Sequence, residues 1–138
     1  MPKTTTPKKD QYTFTVGRRK SAVATIKLYP GKGESKVNDQ SVAKYFSSVF
    51  YHSQYELPFE VTHTQDKYHY TATILGGGKH GQIEALTVAL ARALKEISAE
   101  HTSVLRAAGL LTIDARVRER RKVGTGGKAR RAKQSPKR

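Results

Sequence analysis

Cations are the residues with the plainest chemistry in this chain, and they are unevenly placed. Residues 115–138 hold eleven Lys and Arg against one acid, Glu119; residues 1–20 hold six against one, and residues 21–114 hold nine of each. The net charge of +15 therefore sits at two ends of a neutral body. Arg116, Arg118, Arg120, Arg121 and Lys122 precede Gly124-Thr125-Gly126-Gly127, and Lys128, Arg130, Arg131, Lys133, Lys137 and Arg138 follow it. A segment this dense in one sign repels itself, and becomes favourable when it neutralises phosphates and releases their counterions. Arginine suits that task, because its planar fork takes two phosphate oxygens at once. With about eight such contacts, log affinity would fall with log salt at a slope of roughly −6 to −7. A solubilising tail, a localisation signal and a membrane anchor are the alternatives. The first seldom needs such one-signed density, and the last needs a Leu/Phe/Trp face that is missing here. The pattern favours nucleic acid. Gly17-Arg18-Arg19-Lys20 is a second, smaller cluster.

Gly76-x-Gly78-x-x-Gly81 follows a β-rich run and opens a helical one, so a phosphate could rest on free helix N–H groups there. A dinucleotide site also needs an acid at the end of a second strand about twenty residues on. Glu96 and Glu100 fall at that distance, but on or just past the helix. A P-loop fails because Gln82 stands where Lys should follow Gly81. The loop remains an anion site in which Gly77, Gly78 and Lys79 are the candidates, with no cofactor and no small-molecule substrate. Glu56, Glu60 and Asp66 are single carboxylates without partner spacing, so no enzyme is expected. The five histidines are scattered and there is no cysteine, so neither a metal nor a disulfide is expected.

The elements that must position these groups are legible in part. Tyr12, Phe14 and Val16 alternate with threonines as in a half-buried strand, interrupted by Gly17–Lys20. Val23, Ile26, Leu28 and Tyr29 make a second strand, ended by Pro30-Gly31-Lys32-Gly33. A short strand is expected over Lys36–Asn38. Val42, Tyr45, Phe46, Val49 and Phe50 form the stripe of one helix, capped by Asp39 or Ser41. Leu57-Pro58-Phe59 leaves the state of Gln54–Thr64 open. Lys67–Leu75 reads as a strand. Ile83, Leu86, Leu90, Leu94 and Ile97 then mark the clearest helix, and a short one begins at Thr102 or Ser103 and closes at Gly109.

The core-forming pattern stops after Ile113. The division expected is a flexible extension over 1–10, an α+β body over 11–112 built as a sheet with helices packed on it, and an extended basic tail over 113–138. The first ten residues lack the apolar stretch of a signal peptide, and no stretch approaches a membrane span, so a cytoplasmic protein with no membrane partner is expected.

Several of these stretches, in order, resemble the bacterial small-subunit ribosomal protein S-nine family. They are Gly17-Arg18-Arg19-Lys20-Ser21-Ala22-Val23-Ala24, Gly76-Gly77-Gly78-x-x-Gly81-Gln82, Arg92-Ala93-Leu94 and Leu105-Arg106-x-Ala108-Gly109-Leu110-Leu111-Thr112. Asp114-x-Arg116-x-x-Glu119-Arg120-Arg121-Lys122-x-Gly124, Lys128-Ala129-Arg130-Arg131 and Lys137-Arg138 complete the series. The resemblance implies the fold of the second domain of ribosomal protein S-five, with a left-handed βαβ crossover. It implies a place in the head of the small subunit, on the 3′ major domain of its rRNA and among neighbouring head proteins. It also implies a tail that threads through rRNA toward the anticodon stem-loop of the P-site tRNA. Lys137 and Arg138 match the tRNA contact. Arg116, Arg120, Arg121, Lys122, Lys128, Arg130 and Arg131 match the threaded part, and Arg18, Arg19, Lys20 and the glycine loop become rRNA contacts. Three positions depart from the family: Ile113 and Thr87, where basic residues are frequent, and Pro136 near the C-terminal Lys137-Arg138.

Overall fold

The computed structural model describes residues 11–124. Strand β1 (Thr13–Arg19) turns through Lys20-Ser21 into β2 (Ala22–Pro30), with Arg19 opposite Ala22 and Thr13 opposite Leu28. A two-residue hairpin turn needs positive φ, and Lys20 supplies it at 53°. Two short strands, β3 (Lys36–Val37) and β4 (Gln40–Ser41), form a second hairpin across Asn38 and Asp39, also at positive φ. Helices α1 (Val42–Tyr45) and α2 (Val49–Val61) lead to β5 (Tyr68–Leu75), which lies antiparallel to β2 and parallel to β3. Helices α3 (Lys79–Ile97) and α4 (Glu100–Ala107) follow. The sheet order is β1-β2-β5-β3-β4. The architecture is α+β, and α3 packs on the sheet beneath β1 and β2.

The core is built from Ala22, Ala24, Ile26 and Leu28 of β2, Tyr70, Ala72 and Ile74 of β5, and Ile83, Leu86, Leu90 and Leu94 of α3. That leaves the other face of the sheet without a helical layer. Asn38 extends the ladder with its side chain: Nδ2 donates to the Ile74 carbonyl at 3.0 Å, and Oδ1 accepts from the Ile74 N–H at 2.9 Å. Helix α4 ends in a Schellman motif, with Gly109 N–H on the Arg106 carbonyl and Leu110 N–H on the Leu105 carbonyl, which buries both leucines. Gly109 takes the positive φ that this cap requires.

Five expectations are corrected. Strand β1 runs on through Gly17 to Arg19, and its inner face is Thr15 and Gly17 rather than Tyr12, Phe14 and Val16; Phe14 is 52% exposed. The reason is proximity. A Cβ on Gly17 would lie 2.1 Å from the Ala85 carbonyl oxygen, and Thr15 Oγ1 donates to the Ala89 carbonyl at 2.8 Å, so only small residues admit the α3 backbone. The single helix expected over 42–50 is two, because Ser47-Ser48 restart it; Phe46 is buried, whereas Val49 and Phe50 are exposed. Ser41, the first of these helices' caps, accepts from the Lys44 N–H. Residues 54–61 are helical through Pro58, whose missing N–H leaves the Gln54 carbonyl without its helical donor; Thr87 Oγ1 stands 3.4 Å from it. Ile97 is outside the buried stripe of α3, and α4 starts at Glu100.

Candidate nucleic-acid interface

The β1–β2 turn and the glycine loop lie against each other. Gly76 (φ 74°) and Gly77 (φ 67°) carry the chain from β5 into α3 over the turn. A Cβ on Gly76 would lie 2.5 Å from the Ser21 carbonyl oxygen, and one on Gly77 3.1 Å from Ala22. The positive φ and the contact with backbone both demand glycine. Gly78 is the N-cap of α3 and Lys79 its first residue. Gln82 locks the loop from within the helix: Nε2 donates to the Gly76 carbonyl at 3.0 Å, while Oε1 accepts from the Tyr45 hydroxyl at 2.8 Å. Lys79 Nζ lies 3.3 Å from the centre of the Tyr45 ring and donates to the Tyr45 carbonyl at 3.2 Å.

Alternation along β1 gives the two neighbouring arginines different tasks. Arg18 is exposed. Arg19 points under the sheet, with its side chain only 11% exposed. Its Nε donates to Glu84 of α3 at 2.6 Å, its Nη1 to the Arg116 carbonyl at 2.8 Å, and its Nη2 lies 3.3 Å from Asp114. Asp114 in turn accepts from the Arg116 backbone N–H at 3.0 Å and from its Nη2 at 2.7 Å. These hydrogen bonds from Arg116, with the nearby Arg19 charge, hold the Asp114 carboxyl well below the usual carboxylate range. The same pairing raises the Arg116 guanidinium above its ordinary value. Charge repulsion in the first stretch of the tail is thereby relieved at its root.

The structure thus brings together Lys20, Gly77, Gly78, Lys79 and the start of the tail at one end of the fold. Arg118, Arg120, Arg121 and Lys122 continue from it as exposed residues. Lys128, Arg130, Arg131, Lys133, Lys137 and Arg138 lie outside the described residues. Sequence reasoning missed Glu84 and Asp114 as partners of Arg19, though a lone acid two residues before Arg116 is a local signal for the second. Arg92 was noticed only as part of a motif; its Nη1 donates to the Val16 carbonyl at 2.7 Å and fastens edge strand β1 to α3. Among the described residues no group of three metal-ligating side chains comes together.

Residues 17–138 match the family described as Ribosomal protein S9/S16. The chain belongs to that family. A small ribosomal subunit protein uS9 of Desulfotalea psychrophila is 42% identical over 83% of this chain and 88% of its own length. Those of Mycoplasmopsis synoviae and Leifsonia xyli subsp. xyli are 42% and 46% identical, each over 89% of this chain and over 93% and 73% of their own lengths. The S9/S16 match begins at Gly17, the residue on which α3 rests, and covers both the glycine loop and the tail.

Proposed function

We propose that the chain docks on small-subunit rRNA through the end of the fold where the β1–β2 turn, the glycine loop and the root of the tail converge. Family membership makes it a ribosomal protein of the small subunit, a structural constituent rather than an enzyme, working in the bacterial cytoplasm with rRNA and neighbouring ribosomal proteins. The finer reading places it in the head, on the 3′ major domain. The body over 11–112 sits on the RNA by shape and backbone contact, and the tail over 113–138 threads between helices toward the P-site tRNA, where Lys137 and Arg138 meet the anticodon stem-loop. The same reading takes the parallel β3–β5 crossover as left-handed.

The observation that carries the proposal is the clasp of Arg19 on Asp114 and Arg116. It launches a tail of net charge +10 from the face where Lys20, Lys79 and the α3 N-terminus also gather positive potential. Lys20, Arg18 and the tail cations are the phosphate contacts in this reading, and Arg19 directs the tail. The test is binding of the full chain to a transcript of the rRNA 3′ major domain across a salt series. Replacing Arg118, Arg120, Arg121, Arg130 and Arg131 with Gln should weaken binding and flatten the salt slope by up to about 4, near 0.9 per phosphate lost. An unchanged slope would remove the tail from the interface.

A further inference from the structure

The side of the sheet away from the helices carries a second surface whose chemistry the phosphate-binding end does not use. None of the five strands contains an acid: between residues 11 and 112, every Asp and Glu lies in a helix, turn or loop. Along this open face, Phe14, Lys27, Thr71 and Lys36 stand in one row across β1, β2, β5 and β3. Next to it lies an aromatic row. The Tyr12 and Tyr29 rings are 5.6 Å apart, and Tyr29 stacks on His69 at 5.3 Å with 16° between planes. Lys27 Nζ is 5.3 Å from the Tyr12 ring centre. Phe14 is more than half exposed and Tyr12 nearly so, although both are residues that folding usually covers.

This row is held rigid before anything binds. His69 Nδ1 donates to the Gly31 carbonyl at 3.0 Å, and Gly33 packs so closely on the ring that a Cβ there would come within 2.7 Å of it. A fixed platform of rings loses little entropy when another flat group settles on it. Rings for stacking, lysines among them and no carboxylate to repel phosphate are what a sheet needs to bind unpaired nucleotides. The face also leads back to the basic end: Lys20 and Phe14 are six residues apart on β1 and its turn, about 20 Å at strand spacing, within the span of a few extended nucleotides.

We infer that the Tyr12, Phe14, Lys27, Tyr29 and His69 face is a stacking platform for unpaired bases of RNA. The inference rests on the rRNA reading above and adds a second, non-electrostatic contact to it. The test compares full chains, wild type and the double variant Phe14→Ala/Tyr29→Ala, on the 3′ major domain transcript across the same salt series. Ultraviolet crosslinking with peptide mapping accompanies it. Both sites are on the open face, and a thermal melt shows whether the variant keeps its fold. The expected result is binding weaker by about tenfold or more with the salt slope unchanged, since stacking releases no counterions. Ring-preserving Phe14→Tyr/Tyr29→Phe should restore it, and wild-type crosslinks should map to the peptides holding residues 12–14, 29 and 69. Unchanged affinity without those crosslinks overturns the platform while leaving the tail-dependent slope, and so the rRNA reading, standing. Unchanged affinity with failed incorporation into small subunits assigns the face to a neighbouring protein and also overturns it. Failure of the wild-type chain to bind the transcript removes both readings together.

Discussion

Arg19 Nη2 stands 3.3 Å from the Asp114 carboxylate, so the first hairpin of the chain grips the first residues beyond the last helix. With Glu84 on the other side of the guanidinium, three distant parts of the sequence share one cation. The tail is therefore aimed by the body at its root.

Removing that cation should loosen both. Arg19→Ala loses a charged hydrogen bond to Glu84 and the donor to the Arg116 carbonyl, and should lower unfolding stability by about 2 kcal/mol. Urea denaturation measures the loss. Hydrogen exchange should quicken at Arg116, whose amide the clasp protects, while the centre of α3 stays slow.

The pH dependence has a definite sign. The carboxyl of Asp114 is lowered in the folded protein, so its contribution is fully present above the ordinary aspartate range near 3.9. It is lost only as pH falls through the lowered folded value. The Arg116 amide resonance should hold its shift from neutral pH down to about pH 4 and move only below that. In Asp114→Asn it should already have moved at neutral pH.

Two glycines should respond very differently to alanine. Gly17→Ala drives a Cβ into the Ala85 carbonyl of α3, a backbone atom that cannot step aside, and should cost about 3 kcal/mol or more. Gly109→Ala meets no atom within 4 Å and suffers only from its positive φ, about 1–2 kcal/mol. Chemical denaturation of the pair ranks them.

Those two positions also mark what the residue pattern could and could not convey. Gly109 after a short apolar helix announces a helix end by local chemistry alone, and the Ile83, Leu86, Leu90 and Leu94 stripe follows from the helical period. The inward face of β1 was not legible. Phe14 and Tyr12 outrank Thr15 and Gly17 in hydrophobicity, and only the approach of α3 makes small side chains the inner ones. Pro58 obscured α2 for a similar reason: the hydroxyl beside the freed Gln54 carbonyl comes from Thr87 of α3. At the interface, composition found the cations but not their tasks. Arg18 and Arg19 look equivalent in sequence, and strand alternation, with partners 65 and 97 residues away, separates them.

The central claim is that this chain is an integral part of the small ribosomal subunit, held by RNA contacts deeper than loose surface charge. Sedimentation of a native lysate through sucrose in about 0.5 M salt, where exposed charge pairs are strongly screened, tests it most directly. The account predicts that the protein travels with the small subunit in every fraction that contains it. Recovery of the protein at the top of the gradient, with the subunits intact below, would contradict it.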